Sequence, residues 1–217
     1  MNFLLIAQRI RQEMGTGGLG PSSLTAQYGE DKQYADWTRE AYLDVLNYAR
    51  DWNFLWKEFQ FNGNGGREYG EAEHGITDVA TWNVDTFYVL QSGVMYPLHF
   101  IPWDEFRLYQ ASIVANGLPA SFSIQPGGKL VFDAAPRANV SIGGEYFVKP
   151  DTEIFADGQP VFPERYHMIV VWRGLMMAAA FYAEPDKYAH GENMYSRILS
   201  QMVARELPKI GLGGALA

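Results

Sequence analysis

The stretch ERYHMIVVWRGLMMAAAFYA, residues Glu164 to Ala183, is apolar on nearly every side when it is wound as a helix. Its apolar side chains fall on two sides of that helix: Met168, Val171, Trp172, Leu175 and Ala179 on one, and Ile169, Met177 and Ala180 on another. A helix without a polar face is normally buried between several neighbours. The stretch therefore predicts a central helix, and Arg173 in its middle, together with its short length, argues against a membrane span.

Three further helices are predicted, two before the central helix in the chain and one after it. Apolar residues at spacings of three and four predict a first helix through Phe3, Ile6, Ile10 and Met14, and a second helix from Gln33 to Trp56. A last helix begins at Pro185 and Asp186, continues to Leu207 and is ended by Pro208. Both ends of the chain are thus predicted to be helical.

The middle of the chain changes to the alternating pattern of strands. The predicted elements are strands at Lys57 to Asn62, Asn83 to Gln91 and Met95 to Phe100, a short helix after Pro102 through Trp103, Phe106, Tyr109 and Ile113, a hairpin between Pro119 and Pro136, and a strand from Val140 to Val148. Asp151 to Pro163, rich in acids and proline, is predicted to be a linker. We predict an α+β fold in which a helical bundle, residues 1–56 and 163–207, receives a small inserted antiparallel β-domain, residues 57–162, and a C-terminal tail follows at 208–217.

Composition limits the possible functions. The 217 residues have a formal net charge of −8 and contain no cysteine, so disulfides, thiolate metal sites and a cysteine nucleophile are excluded. An acidic chain without a Lys/Arg cluster is poorly suited to grip nucleic acid by its phosphates. The first residues lack the features of a signal peptide, so a soluble protein assembled in the cytoplasm is expected.

One motif resembles a dinucleotide fingerprint. Gly15-Thr16-Gly17-Gly18-Leu19-Gly20 matches G-x-G-x-x-G, but that fingerprint needs a strand before it and a helix directly after it. Here a helix precedes the glycines, and Pro21-Ser22-Ser23 follows as a loop. We therefore predict that the glycines end the first helix and turn the chain, with no bound nucleotide.

The titratable residues do not form a recognisable catalytic or metal-binding pattern. The four histidines, His74, His99, His167 and His190, lack the spacing of metal ligands, and His167 is expected to be partly buried and hydrogen bonded. The carboxylate pairs Glu71/Glu73 and Asp104/Glu105 are neighbours in solvated turns. Nucleophile elbows and phosphate loops are absent from the sequence, which favours a protein that is not an enzyme and has no metal or cofactor.

The order of five segments resembles one protein family. GTGGLGP follows the first helix, DWTREAYLDVLNYARDWNFLWKEFQF covers the second, and PASFSIQPGGKLVFDAAP, GEYFVKP and the region Phe162 to Leu199 come later in the chain. Together these segments, from about Phe3 to Ile210, are similar to the head-to-tail adaptor proteins of tailed bacteriophages. The resemblance implies a structural virion protein at the head-tail junction, which forms a dodecameric ring beneath the portal and extends the DNA channel toward the tail.

The resemblance also implies partners and a contact site. The expected partners are the portal protein, tail or nozzle proteins and further copies of the chain, while DNA passes without specific binding. The C-terminal segment is expected to contact the portal through Leu207, Pro208, Ile210 and Leu212, where glycines let the backbone lie against a partner. A frayed terminus without a role is the alternative for this segment.

Two other functions remain open from the sequence. A tail terminator or stopper would occupy the same junction and would differ in position more than in chemistry. A carbohydrate-binding or hydrolytic tail component would need exposed aromatic residues such as Tyr69, Trp82 or Trp103 beside paired carboxylates in a groove.

Overall fold

The computed structural model describes residues 1–18, 20–109 and 117–208. The chain forms two compact units, one made of Met1–Phe54 with Pro150–Ala217 and the other of Leu55–Lys149. We refer to them as the bundle unit and the sheet unit. Helices at both ends of the chain and strands in its middle confirm the predicted α+β class.

The bundle unit is built around one central helix. Its helices are α1 (Phe3–Met14), α2 (Gly29–Asn47), α5 (Met168–Phe181) and α6 (Pro185–Glu206). Helix α5 contacts each of the other three, and nine of its residues are buried, from Ile169 to Ala179. The prediction that the apolar stretch is surrounded by several neighbours is confirmed. Its first residues, Glu164–Tyr166, form a 3-10 turn before the α-helix begins.

Helix α1 has the predicted bounds because its end signals are local. The Asn2 side chain accepts a hydrogen bond from the Leu5 backbone N–H at 2.9 Å, which satisfies one free donor of the first turn. At the other end Gly15 adopts φ +74, and its N–H donates to the Gln12 carbonyl at 2.9 Å. This left-handed residue closes the helix as glycine commonly does.

The predicted bounds of the second helix are wrong at both ends. Helix α2 begins at Gly29 and ends at Asn47, whereas Gln33 to Trp56 was expected. The apolar spacing continues past Asn47 because Trp52 is fully buried from an irregular segment, where its Nε1 donates to the Leu46 carbonyl at 3.3 Å. Its ring also stacks on Phe54 at 5.5 Å. The buried Trp52 after α2 therefore continued the helical spacing in the sequence, although the backbone there is no longer α-helical.

Gly174 allows α1 to approach α5 closely. A β-carbon at this position would overlap the Cδ1 of Ile10 and lie 3.1 Å from its Cγ1, and Ile10 is fully buried. Gly174→Ala should destabilise the protein, because overpacking costs about 1–3 kcal/mol and the better helix propensity of alanine returns only about 1 kcal/mol. Ile10→Val, which removes the Cδ1 atom, should recover part of the loss. Thermal unfolding of both single variants and the double variant measures this coupling, and strictly additive losses would contradict it.

The sheet unit contains two four-stranded sheets. Its strands are β1 (Trp56–Asn62), β2 (Glu68–Tyr69), β3 (Val79–Gln91), β4 (Val94–Pro97), β5 (His99–Phe100), β6 (Ser121–Ile124), β7 (Leu130–Phe132) and β8 (Val140–Val148), with short helices α3 (Glu71–His74) and α4 (Trp103–Tyr109). The first sheet has the order β1-β8-β3-β4 and is antiparallel throughout. The second has the order β2-β7-β6-β5, in which β5 and β6 are parallel.

Most strand predictions in this unit agree with the structure. The hairpin pairs Phe122 with Phe132 and Ile124 with Leu130, as the alternation indicated. Strand β3 begins at Val79, four residues before the predicted start, and its register shifts within this first part, between Val79 and Thr81. That irregularity interrupts the alternation, so the sequence hid the first part of the strand. Ile113, predicted to continue the short helix, lies outside the described residues.

The core of the sheet unit is mainly aromatic. Phe87 stacks on Phe122 with ring centroids 4.2 Å apart, which joins a strand of the first sheet to a strand of the second. Other buried members come from both sheets: Phe59, Phe61, Tyr69, Val89, Leu98, Leu130, Phe132, Val140, Ile142 and Tyr146. Burial of this apolar area provides the main stabilisation of the unit.

Candidate functional site

The predicted contact segment begins where α6 ends, so the placement of α6 on α5 decides where that segment leaves the bundle unit. Pro185 opens α6, a position where its missing N–H costs nothing. Gly191 allows close packing, because a β-carbon there would lie 3.0 Å from the Met176 Cγ and 3.2 Å from the Trp172 carbonyl oxygen. Met202 is fully buried near the end of the helix.

An ion pair holds the last turn of α6. The Glu206 Oε1 accepts a hydrogen bond from the Arg165 Nη2 at 2.6 Å. The Glu206 side chain is only 10% exposed, whereas that of Arg165 is 55% exposed, so solvent screens the pair from one side. The Asn53 Nδ2 also donates to the Arg205 carbonyl at 3.4 Å. These contacts fix the end of α6 at the point where the C-terminal segment starts.

The chain becomes extended directly after this anchor. Leu207 has φ −96 and ψ 146, and its N–H makes a final long bond of 3.4 Å to the Val203 carbonyl. Pro208 disfavours helical backbone at the residue before it, which explains the sharp end. Leu207 is half-buried and Pro208 is exposed. The other two predicted contact residues, Ile210 and Leu212, lie outside the described residues.

The bundle unit also exposes an aromatic patch, which we define as Trp37, Phe181 and Tyr182. The Trp37 ring lies 5.6 Å from that of Phe181 and 6.0 Å from that of Tyr182, and the last two rings are 5.0 Å apart. Phe181 is 61% exposed and Tyr182 is 38% exposed. Clustered exposed aromatic side chains are typical of protein interaction sites. Trp37 lies in the predicted second helix, and its apolar spacing did not predict this patch.

The glycine segment has a structural role among the described residues. The Arg11 Nη2 donates to the Gly17 carbonyl at 2.7 Å, and its Nη1 donates to Asp31 at 2.6 Å. The Thr16 Oγ1 donates to the Arg11 carbonyl at 3.1 Å, and the Lys187 Nζ bonds the Met14 carbonyl. Side chains of the protein thus form hydrogen bonds with backbone groups next to the glycines, in agreement with a turn after α1.

Two histidines are buried with hydrogen-bond partners. The His167 Nε2 donates to the Phe162 carbonyl at 3.0 Å, and the residue is 2% exposed, which confirms its predicted buried and hydrogen-bonded state. The His74 Nδ1 accepts from the Ile76 backbone N–H at 3.1 Å. Burial lowers the pKa of both histidines. Both rings are therefore neutral parts of the packing near pH 7.

The three aromatic residues that a carbohydrate groove would need differ in burial and in the residues that they contact. Tyr69 is fully buried, and its hydroxyl accepts from the Asn64 backbone N–H at 2.9 Å. Trp103 is half-buried beside Phe106. Trp82 packs edge-on against Phe59, with ring centroids 5.0 Å apart. The three side chains are not brought together in one groove.

The carboxylate pairs also lack the arrangement that hydrolysis requires. A cavity of about 310 Å³ is lined by Trp82, His74 and Glu71, and Glu71 is the single carboxylate among its described lining residues. Its neighbour Glu73 instead accepts a hydrogen bond from the Gly70 N–H at 2.7 Å. Asp104 pairs with Arg107 at 3.2 Å on the surface. Two facing carboxylates are therefore not found at the aromatic residues.

Within residues 1–18, 20–109 and 117–208, the acidic and histidine side chains do not form a group of three or more that could hold a metal ion. None of the helices in these same ranges is both long and apolar enough to cross a bilayer.

The described part of the chain thus combines a helical bundle, whose last helix ends at a fixed position, with a partly exposed aromatic patch and a β-rich insert. The family model described as SU10 adaptor protein matches residues 1–210, and the chain belongs to this family of phage head-to-tail adaptors. No curated protein matches the chain at a significant level. Membership makes the chain a structural component of the virion.

Proposed function

We propose that this adaptor forms a dodecameric ring beneath the portal and extends the DNA channel toward the tail. The observation that carries the proposal is the match to the adaptor family over residues 1–210, which includes both helical ends and the β-rich middle. An adaptor joins the portal to tail proteins, so the ring contacts a partner on each side.

The surface of the bundle unit supports self-association. Helix α5 is already covered on three sides by α1, α2 and α6, so the unit does not need a neighbour to bury its central helix. In the aromatic patch, Phe181 and Tyr182 nevertheless remain exposed, whereas Trp37 is half-buried. A neighbouring copy that covers this patch would gain apolar burial at about 25 cal/mol per Å². The patch is therefore our candidate for a contact between copies in the ring.

The C-terminal segment is our candidate for the portal contact. The chain leaves α6 at Leu207, which is extended, from an end fixed by the Arg165–Glu206 pair, and Pro208 follows. Ile210 and Leu212 continue the segment with two apolar side chains separated by a glycine. An apolar segment that is anchored at one end can insert into a groove of a partner with a small orientational cost.

The net charge agrees with a channel protein. At −8 the chain repels the DNA phosphates more than it attracts them. A conduit benefits from such repulsion, because strong phosphate contacts would hold the genome during ejection. We propose that DNA passes without specific binding.

The proposal is tested by mixing the purified protein with the portal protein of the same phage and measuring the mass of the product. A stoichiometric complex with one ring of adaptor copies on each portal is expected. Portal and adaptor that remain separate at micromolar concentrations would contradict the proposal.

A further inference from the structure

The first sheet of the sheet unit has two open edges, strands β1 and β4. Neither strand has a backbone partner on its outer side among the described residues. Open edges present free N–H and C=O groups, and proteins normally cover, shorten or charge them. The two edges here differ in length and chemistry, and they are complementary.

Strand β1 offers the longer edge. The Gly63 N–H donates to the Val140 carbonyl at 2.8 Å, directly after Asn62 pairs with Ser141. Because hydrogen bonding alternates along an antiparallel strand, the backbone groups of Phe59 and Phe61 also point toward β8. The groups of four residues point away from the sheet: Trp56, Glu58, Gln60 and Asn62.

Strand β4 offers a short edge. The Leu98 N–H donates to the Phe87 carbonyl at 2.8 Å, so the same alternation directs Val94 and Tyr96 toward β3. The backbone groups of Met95 and Pro97 point away. Met95 presents an N–H and a C=O, whereas Pro97 presents only a C=O. This edge suits one short antiparallel pairing.

Strand β4 is also apolar on both faces. Val94 is 49% exposed, Met95 is 60% exposed and Tyr96 is 42% exposed, and successive side chains lie on opposite faces of the strand. An apolar edge strand that is exposed on both faces normally requires a cover.

The topology of the sheet allows a second copy of the chain to be this cover. Four antiparallel strands are an even number, so β1 and β4 run in opposite directions. A second copy placed edge to edge in the same orientation therefore brings its β1 antiparallel to β4 of the first copy. Such a head-to-tail contact uses two different edges and is the type from which rings are built.

The faces of the two strands match as well. Gln60 pairs with Gly143, Gly143 with Tyr88 and Tyr88 with Pro97, so these residues share one face of the sheet. Glu58 and Met95, two residues from Gln60 and Pro97, lie on that face and line one surface cavity of about 400 Å³. The residues with free backbone groups on both edges therefore have their side chains on the same face.

We propose that β4 of one copy pairs with β1 of the next copy, which continues the first sheet around the ring. Val94 and Tyr96 then lie beside the face of β1 that contains Phe59 and Phe61. The contact is short, so it adds to other contacts between copies and sets their register. This inference depends on the ring of the proposed function.

The chain contains no cysteine, so paired cysteines can report the contact directly. Met95→Cys is combined with Gln60→Cys in one variant and with Glu58→Cys in another, because these two pairings place Met95 opposite the middle of the four outward-facing residues of β1. Each variant is assembled on the portal, oxidised mildly and run on a non-reducing gel. We expect one of the two variants to shift from monomer to a ladder of multimers that disappears on reduction.

The matched control is Val94→Cys with Gln60→Cys, whose side chains lie on opposite faces and should leave the monomer band unchanged. The absence of a ladder from both test variants would overturn the proposed pairing. A covalent dimer from Gln60→Cys alone would also overturn it, because that product requires two β1 strands to meet. The mass of the assembly is measured before oxidation: a ring without a ladder contradicts only the pairing, and the absence of a ring contradicts the proposed function.

Discussion

Leu175→Asp should prevent the protein from accumulating in soluble, folded form. Leu175 is 1% exposed in the centre of α5, and its Cδ2 lies 3.6 Å from the position that a β-carbon on Gly191 would take. A carboxylate at this site would have neither water nor a cation as a partner. The cost of burying an unpaired charge is several kcal/mol, which is comparable with the total stability of about 5–15 kcal/mol of a typical domain.

Two control variants separate charge burial from general sensitivity of the helix. Leu175→Met conserves volume and should cost less than about 1.5 kcal/mol. Ala180→Asp places the same charge on the same helix at an exposed position and should remain soluble. Expression, solubility and thermal unfolding of the three variants provide the measurement. A Leu175→Asp protein that is soluble and melts normally would show that α5 is not the buried centre of the bundle unit.

Deletion of Lys209 to Ala217 should leave the fold intact and abolish docking to the portal. The described contacts that fix the end of α6, the buried Met202 and the Arg165–Glu206 pair, all precede the deleted residues. The circular dichroism spectrum and the melting temperature should therefore not change. Burial of an Ile or Leu side chain is worth about 1.5–3 kcal/mol, so loss of Ile210 and Leu212 should weaken binding by at least about a hundredfold.

A point variant tests the same segment at constant length. Ile210→Ser with Leu212→Ser removes the two apolar side chains and keeps the chain, so it should reproduce most of the loss in binding. Both variants and the unmodified protein are compared by co-sedimentation with the portal. Docking that is unchanged after the deletion would mean that the terminus has no role and that the portal contact lies elsewhere.

The sequence predicted local features best. The bounds of α1 follow from Asn2 and Gly15, which act on their own helix, and the hairpin of β6 and β7 follows from alternation around one turn. The end of α2 was wrong because Trp52 keeps helical spacing while it is buried from an irregular segment. Its position depends on the Leu46 carbonyl and the Phe54 ring, and apolar spacing does not distinguish this burial from a further turn.

The candidate interaction surfaces were harder to predict than the helix ends, because they depend on contacts between residues that are distant in the chain. The end of the last helix at Leu207 and Pro208 could be predicted from the sequence because proline does not continue a helix, whereas a portal contact at these residues was implied only by the resemblance to the adaptor family. The ion pair between Arg165 and Glu206 joins residues that are 41 positions apart in the chain, so it could not be predicted from local sequence. The one indication was Glu206 itself, because an acidic residue in the last turn of a helix is unfavourable to the helix dipole unless it has a partner. The open edges of the first sheet were equally hidden, because β1 pairs with the distant β8.

The central claim is that copies of this chain form a ring between the portal and the tail. Electron cryomicroscopy of the portal vertex of the intact virion tests it most directly, because the bundle unit and the sheet unit each give a recognisable density. We expect a closed ring of this chain directly beneath the portal, around a continuous channel, with each C-terminal segment against a portal subunit. A portal that contacts the tail with no density for this chain between them would show that the chain does not form this ring.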